Sequence, residues 1–119
     1  MTNIAQILQN LNKSNKIEGS MVITTEGIII SSEINIDVDK DRLAAFSSAI
    51  GLSITNSFSE IESKPFARYI INTGKWKLCF INIGKSYLIV ISEFDIELTA
   101  LNVELYRTAD LLKKTGRLE

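Results

Sequence analysis

Seventeen consecutive residues, LAAFSSAIGLSITNSFS from Leu43 to Ser59, carry no charged side chain in a chain of which 23% is charged. Were charges placed at random, so long a gap would arise roughly once in a hundred windows, so composition alone does not explain it. Leu43, Phe46, Ile50, Ile54, Phe58 and Ile61 recur at steps of three and four, which puts them on one stripe of a helix. Beside that stripe runs a row of small residues, Ser47, Gly51, Thr55 and Ser59, spaced by four, with Ala44 and Ser48 next to it. A helix built this way has two faces to bury. The expectation is that the apolar stripe packs on the chain's own sheet, while the small ridge lets a second backbone approach closely. A solvated polar face is the alternative, because Ser and Thr on a helix commonly face water. The many Ser, Thr and Asn residues argue against a membrane span.

The rest of the chain reads as short elements around that helix. Ile4, Ile7, Leu8 and Leu11 form the stripe of a first helix, with Asn3 and Gln6 spaced as an N-terminal cap pair. GSMVITTEGIIISSEI reads as a hairpin whose turn uses Gly27. Asp39 or Asp41 can cap the long helix, and Pro65 ends any continuation of it at Ser63 or Lys64. Three β-rich runs follow, FARYIIN, KWKLCFINI and SYLIVIS, separated by turn signals at Thr73-Gly74 and Gly84-Lys85, as in an antiparallel meander. A last helix starts between Asp95 and Thr99, turns Leu98, Leu101, Leu105, Ala109 and Leu112 inward, and ends near Gly116. The order is helix, two strands, long helix, three strands, helix. It predicts one α+β domain over residues 1–119, with a core at about 4–114, in which helices pack on a five-stranded antiparallel sheet.

The composition narrows the chemistry. With 13 basic and 14 acidic residues the net charge is -1, which offers no bulk attraction for nucleic acid or an anionic membrane. The chain has no histidine and one cysteine, so zinc sites of paired Cys or His ligands and most nucleophilic mechanisms lack their parts. Cys79 lies in the apolar run LCFINI and reads as a core residue. Asp37, Asp39 and Asp41 imitate the start of a calcium loop, but Arg42 and Ser48 occupy the positions that need glycine and a bidentate Glu. The six glycines are scattered and form no phosphate-cradling loop. Trp76, Tyr69 and Tyr87 fall on strands, where packing against neighbours is the expected role. The carboxylates fall at caps and on solvated faces, with no apolar surroundings to make a general acid. These observations lead us to expect no enzyme active site, no cofactor and no metal. The start MTNIAQILQNLNK lacks a basic stretch and a long apolar one, so the expected location is the cytoplasm.

The element order, together with EGSMVITTEGIIISSEI, DRLAAFSSAIGLSI, INIGKSYLIVI and TALNVELYRTADLL, resembles the roadblock and dynein light-chain family, which shares the profilin-like architecture. The resemblance covers about Ile4 to Lys114. The polar run Ser53, Thr55, Asn56, Ser57 and Ser59 departs from the family's commonest form. The resemblance implies a homodimer, or a heterodimer with a paralogue, in which two long helices pack side by side and two third strands, here Phe66 to Asn72, join edge to edge. It also implies a platform for a Ras-like small GTPase. Some members of the family are GTPase-activating proteins for a polarity GTPase, and others tether dynein cargo or lysosomal complexes. On this reading the dimer interface comprises Ala44, Ser47, Ser48, Gly51, Thr55, Ser59, Phe66, Arg68 and Ile70, and the partner surface comprises Arg42, Ala49, Ser53, Asn56 and Glu60. Arg42, Arg68, Arg107 and Arg117 are the residues that could supply an arginine finger, with a solvated charge as the bland alternative for each.

Profilin-like and sensory domains that hold a small ligand between sheet and helices, or a pure scaffold, form the competing class. A filled core in a dimer favours the platform, and a large enclosed cavity in a monomer favours the sensor. If the small ridge is the dimer contact, Gly51→Glu breaks the dimer.

Overall fold

A computed structural model describes residues 3–14, 16–61 and 67–116 of the chain. The first helix, α1 (Ile4–Asn12), is closed by a reciprocal cap: the Gln6 N–H donates to Asn3 Oδ1 at 2.9 Å, and the Asn3 N–H donates to Gln6 Oε1 at 3.2 Å. Strands β1 (Ile17–Thr24) and β2 (Ile29–Ile34) form the expected hairpin, with Gly27 at φ +97° in its turn. The long helix α2 (Lys40–Phe58) starts on Asp39, whose carboxylate accepts the Arg42 N–H at 3.1 Å. It ends at Phe58, before the stop expected from Pro65. Ser59 Oγ donates to the Asn56 carbonyl at 2.8 Å, the kind of local bond by which Ser draws the backbone away from continued helix. Pro65 itself lies outside the described residues, as does Phe66.

Strands β3 (Arg68–Asn72), β4 (Trp76–Asn82) and β5 (Ser86–Glu93) form the meander. A short 3₁₀ turn (Leu98–Leu101) then leads into α3 (Asn102–Gly116). All five strands join one antiparallel sheet in the order β2-β1-β5-β4-β3, so the last strand returns beside the first and β2 and β3 are left as the edges. Alternation along the strands divides the interior into two cores. One face carries Val22, Cys79, Ile81, Leu88 and Val90 and is covered by α1 and α3 through Ile7, Leu8, Leu11, Leu105, Ala109 and Leu112. The other carries Met21, Ile23, Leu78, Phe80, Tyr87, Ile89 and Ile91, flanked by Tyr69 and Trp76, and is covered by α2. The inward side of α3 is as expected at Leu105, Ala109 and Leu112, with Leu101 partly buried; the Leu98 side chain lies outside the described residues.

The orientation of α2 reverses the expectation. Its small residues, not its large ones, face the sheet: Ala44 is 1% exposed, Ser47 is 0%, and Gly51 is buried. The cause is the size of the strand residues beneath. Tyr69 stacks on Phe80 with ring centroids 4.4 Å apart, and Tyr87 lies directly under Gly51, where an added Cβ would come within 2.8 Å of the ring. Large rings on the sheet require small residues on the helix. Burying the Ser47 hydroxyl costs little, because its Oγ donates to the Leu43 carbonyl at 2.6 Å. Ala44, Ser47 and Gly51 therefore belong to the chain's own core and are not available as a contact between chains. Ser48 is half-buried and donates to the Thr25 carbonyl at 2.6 Å, which ties α2 to the β1–β2 turn.

A side chain at position 51 is therefore expected to damage folding and not dimerisation alone. Gly51→Val should lower stability by about 2 to 3 kcal/mol, read as an earlier urea midpoint with an unchanged slope. Gly51→Glu should act in the same direction. Cys79 is 1% exposed; burial pushes its thiol up, and the charge of Arg68 offsets only part of that. The native protein should resist a thiol reagent at pH 8 and react only when unfolded. Cys79→Ala should cost about 1 to 2 kcal/mol in thermal denaturation.

Candidate functional site

Because α2 settles on its small side, its large apolar residues come to lie along a flank. Leu43, Ile50 and Ile54 are half-buried there, while Phe46 is 45% exposed, Phe58 49%, and Ile61, in the turn after the helix, 79%. That is a long row of uncovered apolar surface on one helix. Tyr69 of β3 reaches α2 across the sheet face, its hydroxyl donating to the Ser47 carbonyl at 3.4 Å, and burial pushes this phenol up and keeps it protonated.

Among the described residues strand β3 pairs only with β4, so no strand among them covers its outer edge. Ile70, the middle residue of β3, is 44% exposed. Arg68 is half-buried and held within its own chain: Nη1 donates to Asn102 Oδ1 at 2.8 Å, and the guanidinium lies 5.7 Å from the centre of the Tyr106 ring. These contacts tie the edge strand to the first turns of α3. They leave Arg68 neither a solvated charge nor a free finger. Arg42 and Arg107 are exposed and pair with Asp39 at 3.4 Å and Glu104 at 3.9 Å on their own helical turns. Arg117 lies outside the described residues.

The remaining residues singled out in the sequence fall on the open side of α2. Ala49, Ser53 and Asn56 are exposed on its outward face, Arg42 sits in its first turn, and Glu60 follows its end. Thr55 and Ser59 are also exposed. Sequence reasoning grouped the apolar flank correctly but assigned it to the interior. The signal that could have corrected this was the concentration of Tyr69, Trp76, Phe80 and Tyr87 on one strand face.

Both cores are filled by side chains. Grooves of about 300 Å³ between α1 and α3, and about 440 Å³ between α2 and two sheet turns, open at the surface. Among the described residues no three His, Cys, Asp or Glu side chains converge as a metal site. Among them also, no helix is long and apolar enough to cross a membrane.

Comparison with known proteins agrees with this architecture. Residues 3–93 match the Roadblock/LC7 domain. The Uncharacterized protein MJ0714 of Methanocaldococcus jannaschii is 26% identical over 110 residues, which span 92% of this chain and 93% of that one. Among solved structures, Myxococcus xanthus MglB superposes with a TM-score of 0.87 at 20% identity, covering 96% of this chain and 94% of its own. The Roadblock/LC7 domain from Streptomyces avermitilis superposes with a TM-score of 0.85 at 13% identity, covering 95% and 97%. At these identities the structural likeness is one of fold.

Proposed function

The chain belongs to the Roadblock/LC7 family, and from that membership we propose that it is a cytoplasmic dimeric platform that binds and regulates a Ras-like small GTPase. The observation that carries the proposal is the uncovered flank of α2 beside the outer edge of β3. Two copies related by a twofold axis can lay Phe46, Ile50, Ile54 and Phe58 against the same residues of the partner copy while their β3 edges pair. Each of these side chains is already about half-buried, so its removal from water in this way contributes about 1 kcal/mol. An obligate contact of this kind buries on the order of 2,000 Å². The interface thus takes the apolar flank and the strand edge, with Ile70 near the twofold axis.

On this reading the outward face of α2 is the GTPase surface. Ala49, Ser53 and Asn56 are uncharged, with Arg42 and Glu60 at the ends, so the outer charges steer association more than they hold it. The contact is transient, salt-sensitive and near micromolar in strength, since this face lacks a cluster of aromatic anchors. Nucleotide chemistry stays with the GTPase, which supplies phosphate loop, magnesium and water. A small-ligand sensor is supported less well, because side chains fill both cores and the grooves are open to solvent.

Light scattering at micromolar concentration should give dimer mass for the unmodified chain. Phe46→Glu combined with Phe58→Glu should give monomer mass with unchanged far-ultraviolet circular dichroism. Ser53→Arg with Asn56→Arg should abolish binding to the purified small GTPases of the same proteome while the dimer mass stays the same. Monomer mass for the unmodified chain, affinity for none of those GTPases, or calorimetric binding of GTP by the isolated chain would each overturn the proposal.

A further inference from the structure

The groove of about 440 Å³ lies on the opposite flank of α2 from the one assigned to dimerisation. Leu52, on its wall, stands two residues and therefore about 200° around the helix from Ile50. Pairing of two chains through Phe46 and Ile50 would leave this groove open in each protomer. Thr25 and Glu26 of the β1–β2 turn, Asn82 and Gly84 at the β4–β5 turn, Tyr87 of β5, and Leu52 and Thr55 of α2 surround it.

Most of the polar groups here already have work within the fold. The Ser48 hydroxyl is spent on the Thr25 carbonyl at 2.6 Å, that of Thr55 on the Gly51 carbonyl at 2.8 Å, and Asn82 Oδ1 accepts the Gly84 N–H at 2.9 Å. Glu26 differs. It is the sole charged residue of the lining, and its carboxylate has neither an ion pair nor a hydrogen bond among the described residues. It lies close enough to Tyr87 that its charge, after burial, helps hold that phenol protonated. Leu52, 60% exposed, adds an uncovered apolar wall. The groove therefore combines one carboxylate without a partner among the described residues and one aliphatic wall, over a Tyr87 ring that is itself only 6% exposed.

We propose that this groove receives an arginine side chain of the partner protein, with its methylene stem along Leu52 and its guanidinium on the Glu26 carboxylate. Arginine fits better than lysine, because its planar fork pairs with both carboxylate oxygens. The inference rests on the reading of the chain as a GTPase platform and adds to it a recognition chemistry: the groove shares α2 with Ser53 and Asn56, so a partner seated on the outward face is within reach of it.

The test uses the isotope-labelled full chain titrated with acetyl-Gly-Arg-Gly-amide, and with the same peptide carrying uncharged citrulline. The arginine peptide should give saturable amide shifts at Glu26, Leu52, Thr55, Gly84 and Tyr87, and the citrulline peptide should give none. Glu26→Gln, at an exposed turn, should weaken the arginine peptide by about fivefold or more without a change in melting temperature. Absence of saturable shifts, or equal binding by Glu26→Gln, would overturn the proposal. The same variant should lose at least about fivefold affinity for the GTPase that the unmodified chain binds, with dimer mass retained. Undiminished GTPase binding by Glu26→Gln would remove the groove and leave the platform standing. Peptide binding that depends on Glu26, with no GTPase bound by the unmodified chain, would remove the GTPase reading and leave the groove.

Discussion

The contact of Gly51 with the Tyr87 ring sets the position of everything outside the sheet on that face. With no room for a Cβ above the ring, and with rings filling the space between helix and sheet, the neighbouring turns must also present small residues, which Ala44 and Ser47 do. The large side chains of α2 find the space under the helix occupied by these rings and lie on its flank. The apolar surface beside β3 is thus a packing consequence of aromatic rings elsewhere in the chain. The buried Ser47 hydroxyl does not resist the arrangement, since it returns its hydrogen bond to a carbonyl one turn back.

The order of elements was legible because it is written locally. The cap at Asn3, the turn glycine at 27, the aspartate at 39 and the alternation of the three last strands each act within a few residues. The face that α2 buries was not legible from α2 itself. Periodicity groups residues on one side of a helix, but which side goes inward was decided by Tyr69, Phe80 and Tyr87, which lie beyond the helix in the chain. The placing of β5 between β1 and β4 is also a long-range outcome that no local signal carries. For the same reason, part of the interface expected in the sequence proved to be interior. Ala49, Ser53 and Asn56 lay where helical spacing put them, because an outward position needs no partner to define it.

The two flanks of α2 have different chemistry. One flank is aliphatic and aromatic and gains from exclusion of water. The other carries a carboxylate beside a phenol, where geometry and charge decide what is admitted. Ser48, bonded to the Thr25 carbonyl, ties the second flank to the turn that carries Glu26.

Arg68 gives the edge strand a dependence on the far end of the chain. Its guanidinium spans from β3 to the side chains of Asn102 and Tyr106, so the first turns of α3 serve as a brace for a strand that is otherwise held by β4 alone. The two ends of the brace are neutral, so the guanidinium keeps its charge while its position is fixed: the cation is carried at the rim of the sheet in one place and not on a free arm.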